Sequence, residues 1–589
     1  MFRKFLNKLL YWRIKHISNR TLLIVASIFI GMVSAFAAII LKVFVHWVHG
    51  ISSYFLGYSG NHIWYIYLPL AGIIITVVVV KYLFKGHLKK GLGSILFAVA
   101  RKSAKVEKSK MYSQVITSGI TIGLGGSAGL EAPIVITGSA IGSNIASFFN
   151  FGYKERALLL ACGAAAGIAA VFNSPIAGVI FAIEVLLLDI SIPAFIPLLI
   201  STATSIIISK LLYKGQLFYL VADDWYYNAI PFYILLGIIC GLISVYMTRV
   251  TLSLEGFFSS FKKVLPKAIL GGLALGLMIF LLPPLFGEGY STIETLLNGD
   301  FSSILNDSLF ESFKDNSWAI IIFVLVIIFV KIFATSLTIG AGGNGGIFAP
   351  SLFTGALIGF GLAFTVNTIG ISSLNVSNFV VVGMAGILSG VVHAPLTAIF
   401  LIAEVTGGYV LFVPLMIVSA LSYFISKYFE PYSIYTKMLA KKGQHYINDK
   451  DKNILNLMNM EEIIEKDFIV LNISDNIDKL IEAFTRSNRN LFPVVDNDNN
   501  FMGLVYLEEV KEYMLKKERY SHITINEIAH KNIITIDLID DVDAAMVKFE
   551  NDKLWNIPVI SGTKYIGFIS RSSIFSYYRR TLKNTSTLF

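Results

Sequence analysis

The sequence is poor in cysteine and in charged residues. Among 589 residues there are two cysteines, and 15% of the residues are Asp, Glu, Lys or Arg. Cys162 and Cys240 lie far apart in apolar surroundings, so the sequence predicts neither a disulfide framework nor a cysteine-based metal or redox motif. A chain that is 55% hydrophobic, with a mean hydropathy of +0.69, is instead typical of an integral membrane protein.

Two short motifs suggest chemistry that their surroundings do not support. Residues 125–129 satisfy the Gly-x-Ser-x-Gly pattern of serine hydrolases, with His393 as a candidate base, but the flanks are apolar helices where that motif requires a strand. His46 and His49 are spaced like a metal-binding pair, yet they lack acidic or cysteine partners and flank Trp47, as in a membrane interface. The sequence therefore predicts neither an enzyme nor a metal site.

Basic residues are concentrated beside the apolar runs, which accounts for the net charge of +10 without a nucleic-acid partner. Residues 1–20 contain six Lys or Arg and no acid, residues 49–63 contain no Lys or Arg, and residues 85–110 contain eight. Residues 287–317 are acidic. Because basic loops stay in the cytosol, we expect a multi-pass protein of the plasma (inner) membrane with a cytosolic N-terminus.

A short run of small residues recurs in the two halves of the chain. Gly-Leu-Glu-Ala-Pro at 129–133 is matched 217 positions later by Gly-Ile-Phe-Ala-Pro at 346–350. A second similarity, at a shift of 220, pairs residues 174–185 with residues 394–405. The two halves therefore carry the same pattern, which predicts an inverted repeat of broken membrane helices.

Each run predicts a helix that begins inside the membrane, with Pro133 or Pro350 tolerated in its first turn. A helix amino end carries about half a positive charge, and two such ends near the midplane form an anion site. Glu131, whose counterpart is Phe348, is an acid at membrane depth, so we expect it to compete with a transported anion. If the repeated runs served only to pack helices, the acid would remain unexplained. A cation channel is also disfavoured, because neither half supplies a ring of acids or a filter of backbone carbonyls.

After residue 430 the apolar runs shorten to strand length and charges become frequent. Two units follow, with strand patterns at 491–495 and 502–506 in the first and at 556–560 and 566–570 in the second. An amphipathic helix is predicted before each pair of strands. We interpret this part as a soluble, cytosolic regulatory module.

These features together resemble the CLC family of chloride channels and proton-coupled chloride exchangers, followed by a pair of cystathionine-β-synthase-type (CBS) domains. The motifs that carry the resemblance are residues 129–133, 345–350, 172–175 with Glu184, and 91–95. The resemblance implies an all-α polytopic membrane domain of broken helices in an inverted repeat, followed by a soluble α+β CBS pair. The domains it implies are a basic N-terminus (1–20), a transport domain (21–440), a linker (441–459), CBS domains at 460–518 and 519–581, and a tail (582–589).

By the same resemblance, Glu131 is the gate and the protein is a homodimer in the lipid bilayer with one anion pathway per subunit. Chloride or a similar monovalent anion is the transported ligand, and no cofactor is required. The residues implied to bind the anion are Leu92, Gly93, Gly129, Leu130, Gly346, Ile347, Phe348 and one of two tyrosines, Tyr432 or Tyr435, between which the spacing does not decide.

The sequence departs from the family pattern at two positions that bear on transport. Leu92 stands where a serine hydroxyl usually contacts the anion, so one hydrogen-bond donor is missing. Val185 stands where proton-coupled members often carry a second acid after the residue matched by Glu184, and a valine cannot carry a proton. We therefore expect channel-like or weakly proton-coupled transport, and the alternative is an antiporter whose proton route avoids position 185.

An adenine nucleotide is a candidate ligand of the CBS pair, although the ribose-binding pattern of a Ser or Thr with an Asp three residues later is incomplete in both copies. The corresponding residues are Tyr506 with Glu509, and Ser570 with Ser573. The competing interpretation is that the pair only stabilises the dimer and transmits packing changes to the membrane domain.

Overall fold

In a computed structural model of the chain, the described residues are 18–59, 62–86, 91–101, 103–186, 192–213, 223–440, 458, 460–508, 510, 522–552 and 554–586. They form two compact units divided near residue 446. Most of the predicted basic N-terminus and nearly all of the predicted linker lie outside the described residues.

The described residues of the first unit form helices joined by turns and short connections. Its first half contains α1 (Asn19–Ser59), α2 (Trp64–Tyr82), α3 (Gly93–Arg101), α4 (Lys110–Gly123), α5 (Glu131–Phe148), α6 (Tyr153–Phe172), α7 (Pro175–Phe181) and α8 (Ile192–Leu212). Its second half contains α9 (Ile230–Ser259), α10 (Val264–Leu281), α11 (Tyr290–Leu297), α12 (Ser317–Ala341), α13 (Phe348–Ile369), α14 (Val376–Val392), α15 (Pro395–Val405), α16 (Phe412–Phe429) and α17 (Ile434–Ala440). Nine helices of the described chain are long and apolar enough to cross a membrane, which confirms a multi-pass membrane protein.

The helices break where the glycine runs predict breaks. α4 ends at Gly123 and α5 begins at Glu131, and Gly125 between them has a φ of +94°, a conformation that a side chain would disfavour. In the second half, α12 and α13 are separated in the same way, and Gly342 has a φ of +122°. Neither break continues the helical hydrogen bonding, so α5 and α13 each begin within the apolar part of the fold.

A second pair of breaks follows the 220-residue similarity. Asn173, the residue after α6, has a φ of +57°, and His393, the residue after α14, has a φ of +60°. The next helices, α7 and α15, both begin with a proline, whose missing N–H costs nothing in the first turn. Together with the first pair, these breaks confirm the broken-helix repeat in both halves.

Glycines also bring the paired helices of each half into close contact. A Cβ atom at Gly138 of α5 would strike the carbonyl of Gly163 in α6, and one at Gly163 would strike the carbonyl of Gly138. Gly355 of α13 and Gly383 of α14 have the same reciprocal relationship. Small residues at both positions let the backbones pack together, as is common between membrane helices.

The second unit contains two similar α+β modules, as predicted. The first has α18 (Met460–Ile463), β1 (Leu471–Asn472), α19 (Ile477–Arg486), β2 (Leu491–Val495) and β3 (Phe501–Tyr506). The second has α20 (Ile525–Ile528), β4 (Ile536–Asp537), α21 (Val542–Asn551), β5 (Asn556–Ser561), β6 (Lys564–Ser570) and α22 (Arg571–Ser586). In each sheet the first strand pairs in parallel with the second, and the second pairs antiparallel with the third.

Candidate functional site: two helix amino ends and a buried carboxylate

The two repeated runs meet at one point in the membrane unit. The backbone N–H of Gly129 donates to the carbonyl of Gly346 at 2.8 Å, and the N–H of Gly346 donates to the carbonyl of Gly129 at 2.7 Å. This reciprocal pair places the amino ends of α5 and α13 side by side. Because the first N–H groups of a helix have no carbonyl partner in their own helix, the arrangement concentrates amide donors and positive dipole ends.

Glu131 is the first residue of α5, and its side chain is 1% exposed. Its Oε1 accepts a hydrogen bond from the hydroxyl of Tyr290 at 2.5 Å, whereas Oε2 has no hydrogen-bond partner of ordinary geometry among the described residues. A half-satisfied acid at this depth is costly. Its position at two helix amino ends offsets part of that cost, because both dipoles favour negative charge there.

Most of the other predicted residues of the site are buried at or just before the starts of helices. Leu130, Ile347 and Phe348 are each at most 5% exposed at the starts of α5 and α13. Leu92 is 2% exposed and immediately precedes Gly93, the first residue of α3. Like α5 and α13, α3 therefore begins beside a buried apolar side chain.

The structure separates the two candidate tyrosines. Tyr435, in α17, is 6% exposed and interacts electrostatically with Glu131. Tyr432 precedes α17 and is 46% exposed. Of the two, Tyr435 has the burial and the proximity to Glu131 that a residue closing the site requires.

Glu184, the predicted proton-pathway residue, makes contacts that no sequence pattern indicated. Its carboxylate accepts hydrogen bonds from the N–H groups of Leu396 (3.2 Å) and Thr397 (2.8 Å) and from the Thr397 hydroxyl (2.7 Å), all at the start of α15. Glu404, its counterpart in the repeat, accepts in the same way from the N–H groups at the start of α7. These donors are Ile176 at 3.0 Å and Ala177 at 2.9 Å.

Each glutamate therefore caps the short helix of the opposite half, where an acid also complements the helix dipole. Val185, next to Glu184, is half-buried in the π-helical turn Ala182–Leu186 that follows α7. The acid of this pair is thus committed to helix capping, and its neighbour carries no titratable group.

Four residues near Glu131 were missed by the sequence analysis. Tyr290 donates to the gate candidate, and Glu288 Oε1 accepts from the N–H of Leu130 at 3.2 Å. Lys42 and Lys331 interact electrostatically with Glu288. Lysines within the apolar helices α1 and α12 are themselves a signal of function at membrane depth, and that signal was available in the sequence.

A cavity of about 240 Å³ lies beside this cluster. Its lining includes Glu288, Tyr290, Lys42, His46 and His49. No group of three or more His, Cys, Asp or Glu side chains suited to a metal ion occurs among the described residues.

The candidate nucleotide residues lie at the end of the third strand of each soluble module. Ser570 is 6% exposed, and its hydroxyl donates to Glu465 Oε1 at 2.5 Å, while the Ser573 N–H donates to Ser570 Oγ at 2.9 Å. Tyr506 packs edge-on against His530, with ring centroids 5.5 Å apart. Glu509 lies outside the described residues.

Two helices from the two repeats that begin side by side at a buried carboxylate, followed by paired α+β modules, define an ion-transport protein of the inverted-repeat class. The chain belongs to the CLC family: residues 71–427 match the family described as "Voltage gated chloride channel", and residues 460–516 and 525–580 match the CBS domain. Both assignments confirm the resemblance seen in the sequence.

Individual relatives agree with this assignment. The chain is 30% identical over 338 residues to the "H(+)/Cl(-) exchange transporter ClcA" of Vibrio cholerae, covering 54% of this chain and 67% of that protein. It is 28% identical over 522 residues to "Chloride channel protein CLC-e" of Arabidopsis thaliana, covering 77% of this chain and 71% of the relative. A eukaryotic CLC transporter structure has the same fold, with a TM-score of 0.61 at 19% identity, covering 94% of this chain and 99% of that one.

Proposed function

We propose that the protein moves chloride or a similar monovalent anion across the membrane and that Glu131 is its gate. The observation that carries the proposal is the meeting of α5 and α13 at a carboxylate that is 1% exposed, with one oxygen lacking a partner of ordinary geometry. Amide donors at helix ends bind anions. When the glutamate side chain leaves, an anion takes its place at the two helix amino ends.

The remaining residues of the site determine which groups contact the anion. Tyr435 closes the inner side with a hydroxyl donor, and Gly129, Gly346, Ile347 and the residues beside them contribute backbone to the site. Leu92 offers an apolar surface in place of a hydroxyl, so the anion is held there by backbone groups and dipoles alone. A site of this kind binds weakly enough to release its ion quickly, as conduction requires.

Transport is proposed to be channel-like or weakly coupled to protons. Glu184 accepts hydrogen bonds from the start of α15, and Val185 cannot titrate. The alternative is a proton-coupled antiporter with a different inner route. It is favoured by the similarity to a relative named an H(+)/Cl(-) exchange transporter.

The assembly proposed is a homodimer in the plasma (inner) membrane, with one pathway per subunit and the N-terminus and CBS pair in the cytosol.

An adenine nucleotide is retained as a candidate ligand of the CBS pair, although the Ser570 hydroxyl already donates a hydrogen bond to Glu465. Calorimetry of the full-length protein with ATP, ADP and AMP tests this, and absence of heat with all three removes the nucleotide.

The test of transport is chloride efflux from proteoliposomes with the external pH recorded at the same time. We expect chloride efflux without proton uptake against its gradient. Uphill proton movement driven by chloride supports the antiporter instead. If efflux from proteoliposomes equals that from empty liposomes, or the reversal potential follows potassium, anion transport is wrong.

A further inference from the structure

Glu288 lies on the cavity side of the gate in a short segment with unusual backbone. It stands between Gly287 (φ +60°) and Gly289 (φ +91°), just before α11. These left-handed glycines turn the chain sharply. The turn leaves the Glu288 side chain partly exposed to the cavity of about 240 Å³ and brings it to the first turn of α5.

The carboxylate of Glu288 holds one of the amides that the proposed function assigns to the anion. Its Oε1 accepts from the N–H of Leu130 at 3.2 Å, one residue before Glu131. A carboxylate on a backbone N–H at a helix amino end is a charge-assisted interaction. An anion arriving from the cavity needs the same N–H.

Positive charge balances Glu288 from two further helices. Lys331 of α12 is fully buried and donates to the carbonyl oxygens of Gly287 (3.1 Å) and Leu285 (3.3 Å), which fixes the segment that carries Glu288. Lys42 of α1 is 6% exposed and lines the cavity. Both lysines interact electrostatically with Glu288, so each lies where it offsets the negative charge of this carboxylate.

We propose that Glu288 is a second tethered competitor for the transported anion, which must release the Leu130 amide before an anion binds there. The inference rests on the proposed function. Protonation of Glu288 by water in the cavity removes the charge that strengthens this bond, and an anion then replaces it beside the two lysines. Glu131 competes with the anion at the site itself, and Glu288 competes with it for the Leu130 N–H on the side of the cavity.

Several other titratable groups face Glu288 and shape its response to pH. They are Lys42, His46 and His49 of α1, Tyr213 after α8, Glu131 of α5, Tyr290 at the start of α11, and Lys331 of α12. A test by pH alone is therefore ambiguous, and substitution of Glu288 is required.

The test is chloride binding to full-length protein by calorimetry, from pH 6 to 9, for the wild type and Glu288→Gln. Glutamine keeps an acceptor for the Leu130 N–H but not the charge. We expect the apparent Kd for chloride to fall about tenfold at alkaline pH, the lower end of what a charged hydrogen bond contributes. We also expect affinity to vary less with pH. Glu294→Gln, an exposed charge change on α11, is the matched control and should leave both unchanged.

Glu288→Asp keeps the charge beside the lysines but shortens the reach to Leu130, and it provides a second variant if Glu288→Gln does not fold. We expect it also to bind chloride more tightly than the wild type. Wild-type affinity and wild-type pH dependence in the folded Glu288 variants overturn the inference. If such proteins still transport chloride, only the inference fails, whereas a wild-type protein without chloride flux removes the proposed function as well.

Discussion

Removal of the Glu184 carboxylate should destabilise the membrane unit without changing the coupling of transport. In Glu184→Ala the start of α15 loses three hydrogen bonds, from Leu396 N–H, Thr397 N–H and the Thr397 hydroxyl. Loss of a helix amino-end cap costs about 0.5–2 kcal/mol, and loss of a favourable charge at that end adds up to about 1 kcal/mol. We expect a total of roughly 2 kcal/mol, since Glu184 is half-exposed and water replaces part of the interaction.

The matched variants separate capping from proton transfer. Glu184→Gln keeps one acceptor oxygen and replaces the other with an NH2 donor, so it should lose about half as much stability. Glu404→Ala should resemble Glu184→Ala because it uncaps α7. The assay is the thermal unfolding midpoint in detergent, compared within one series because a two-unit chain does not unfold in two states. Proton and chloride fluxes are measured on the same preparations. An unchanged midpoint in Glu184→Ala, or loss of proton movement in Glu184→Gln at wild-type stability, refutes the reasoning.

Three further predictions follow from particular contacts. Gly138→Ala should destabilise the α5–α6 contact by about 1–3 kcal/mol through overpacking against Gly163. Gly361→Ala should be neutral in the same thermal series, because an added Cβ would lie 3.7 Å from Val324, an ordinary contact distance. Leu92→Ser should raise chloride affinity by about two- to tenfold, because one neutral hydrogen bond contributes roughly 0.5–1.5 kcal/mol. Calorimetry measures this affinity, with Leu96→Ser as the control. Equal changes in affinity in the two variants count against the prediction. Arg489 lowers the pKa of Asp467 through a hydrogen bond, so their contribution to stability is present above the ordinary carboxyl pKa and is lost as pH falls through the lowered one. In Arg489→Met, the stability of the soluble unit measured by hydrogen exchange should therefore change less as the pH falls. The difference from the wild type should be under about 1 kcal/mol because Asp467 is exposed. An unchanged dependence on acid pH contradicts this prediction.

The broken helices were predictable because their cause is local. Gly125 and Gly342 have backbone conformations that glycine tolerates, and Pro175 and Pro395 begin helices where proline is favoured. The spacing between the repeats then identifies corresponding breaks in each half. Their meeting at Gly129 followed from the dipole argument, since two amino ends buried in lipid require a shared polar site.

The contacts around the gate were not predictable, because they join residues far apart in the chain. The sequence analysis counted Glu288 only as part of the acidic stretch 287–317, and no local pattern places it on the amide of Leu130, 158 positions earlier. Tyr432 precedes α17 and Tyr435 lies in it, and their different burial depends on how this end of the membrane unit packs, which the local sequence does not encode. Glu184 matched a family position, but its cap on α15 requires knowledge of how the two halves pack.

The most direct test of the central claim is chloride flux by Glu131→Gln in proteoliposomes as the external pH is varied, beside the wild type and Glu294→Gln. The neutral side chain cannot compete as an anion, so we predict flux that persists and depends much less on pH than in the wild type, while Glu294→Gln, exposed on α11, behaves as the wild type. Flux through Glu131→Gln with the full pH dependence of the wild type would contradict the assignment of Glu131 as the gate.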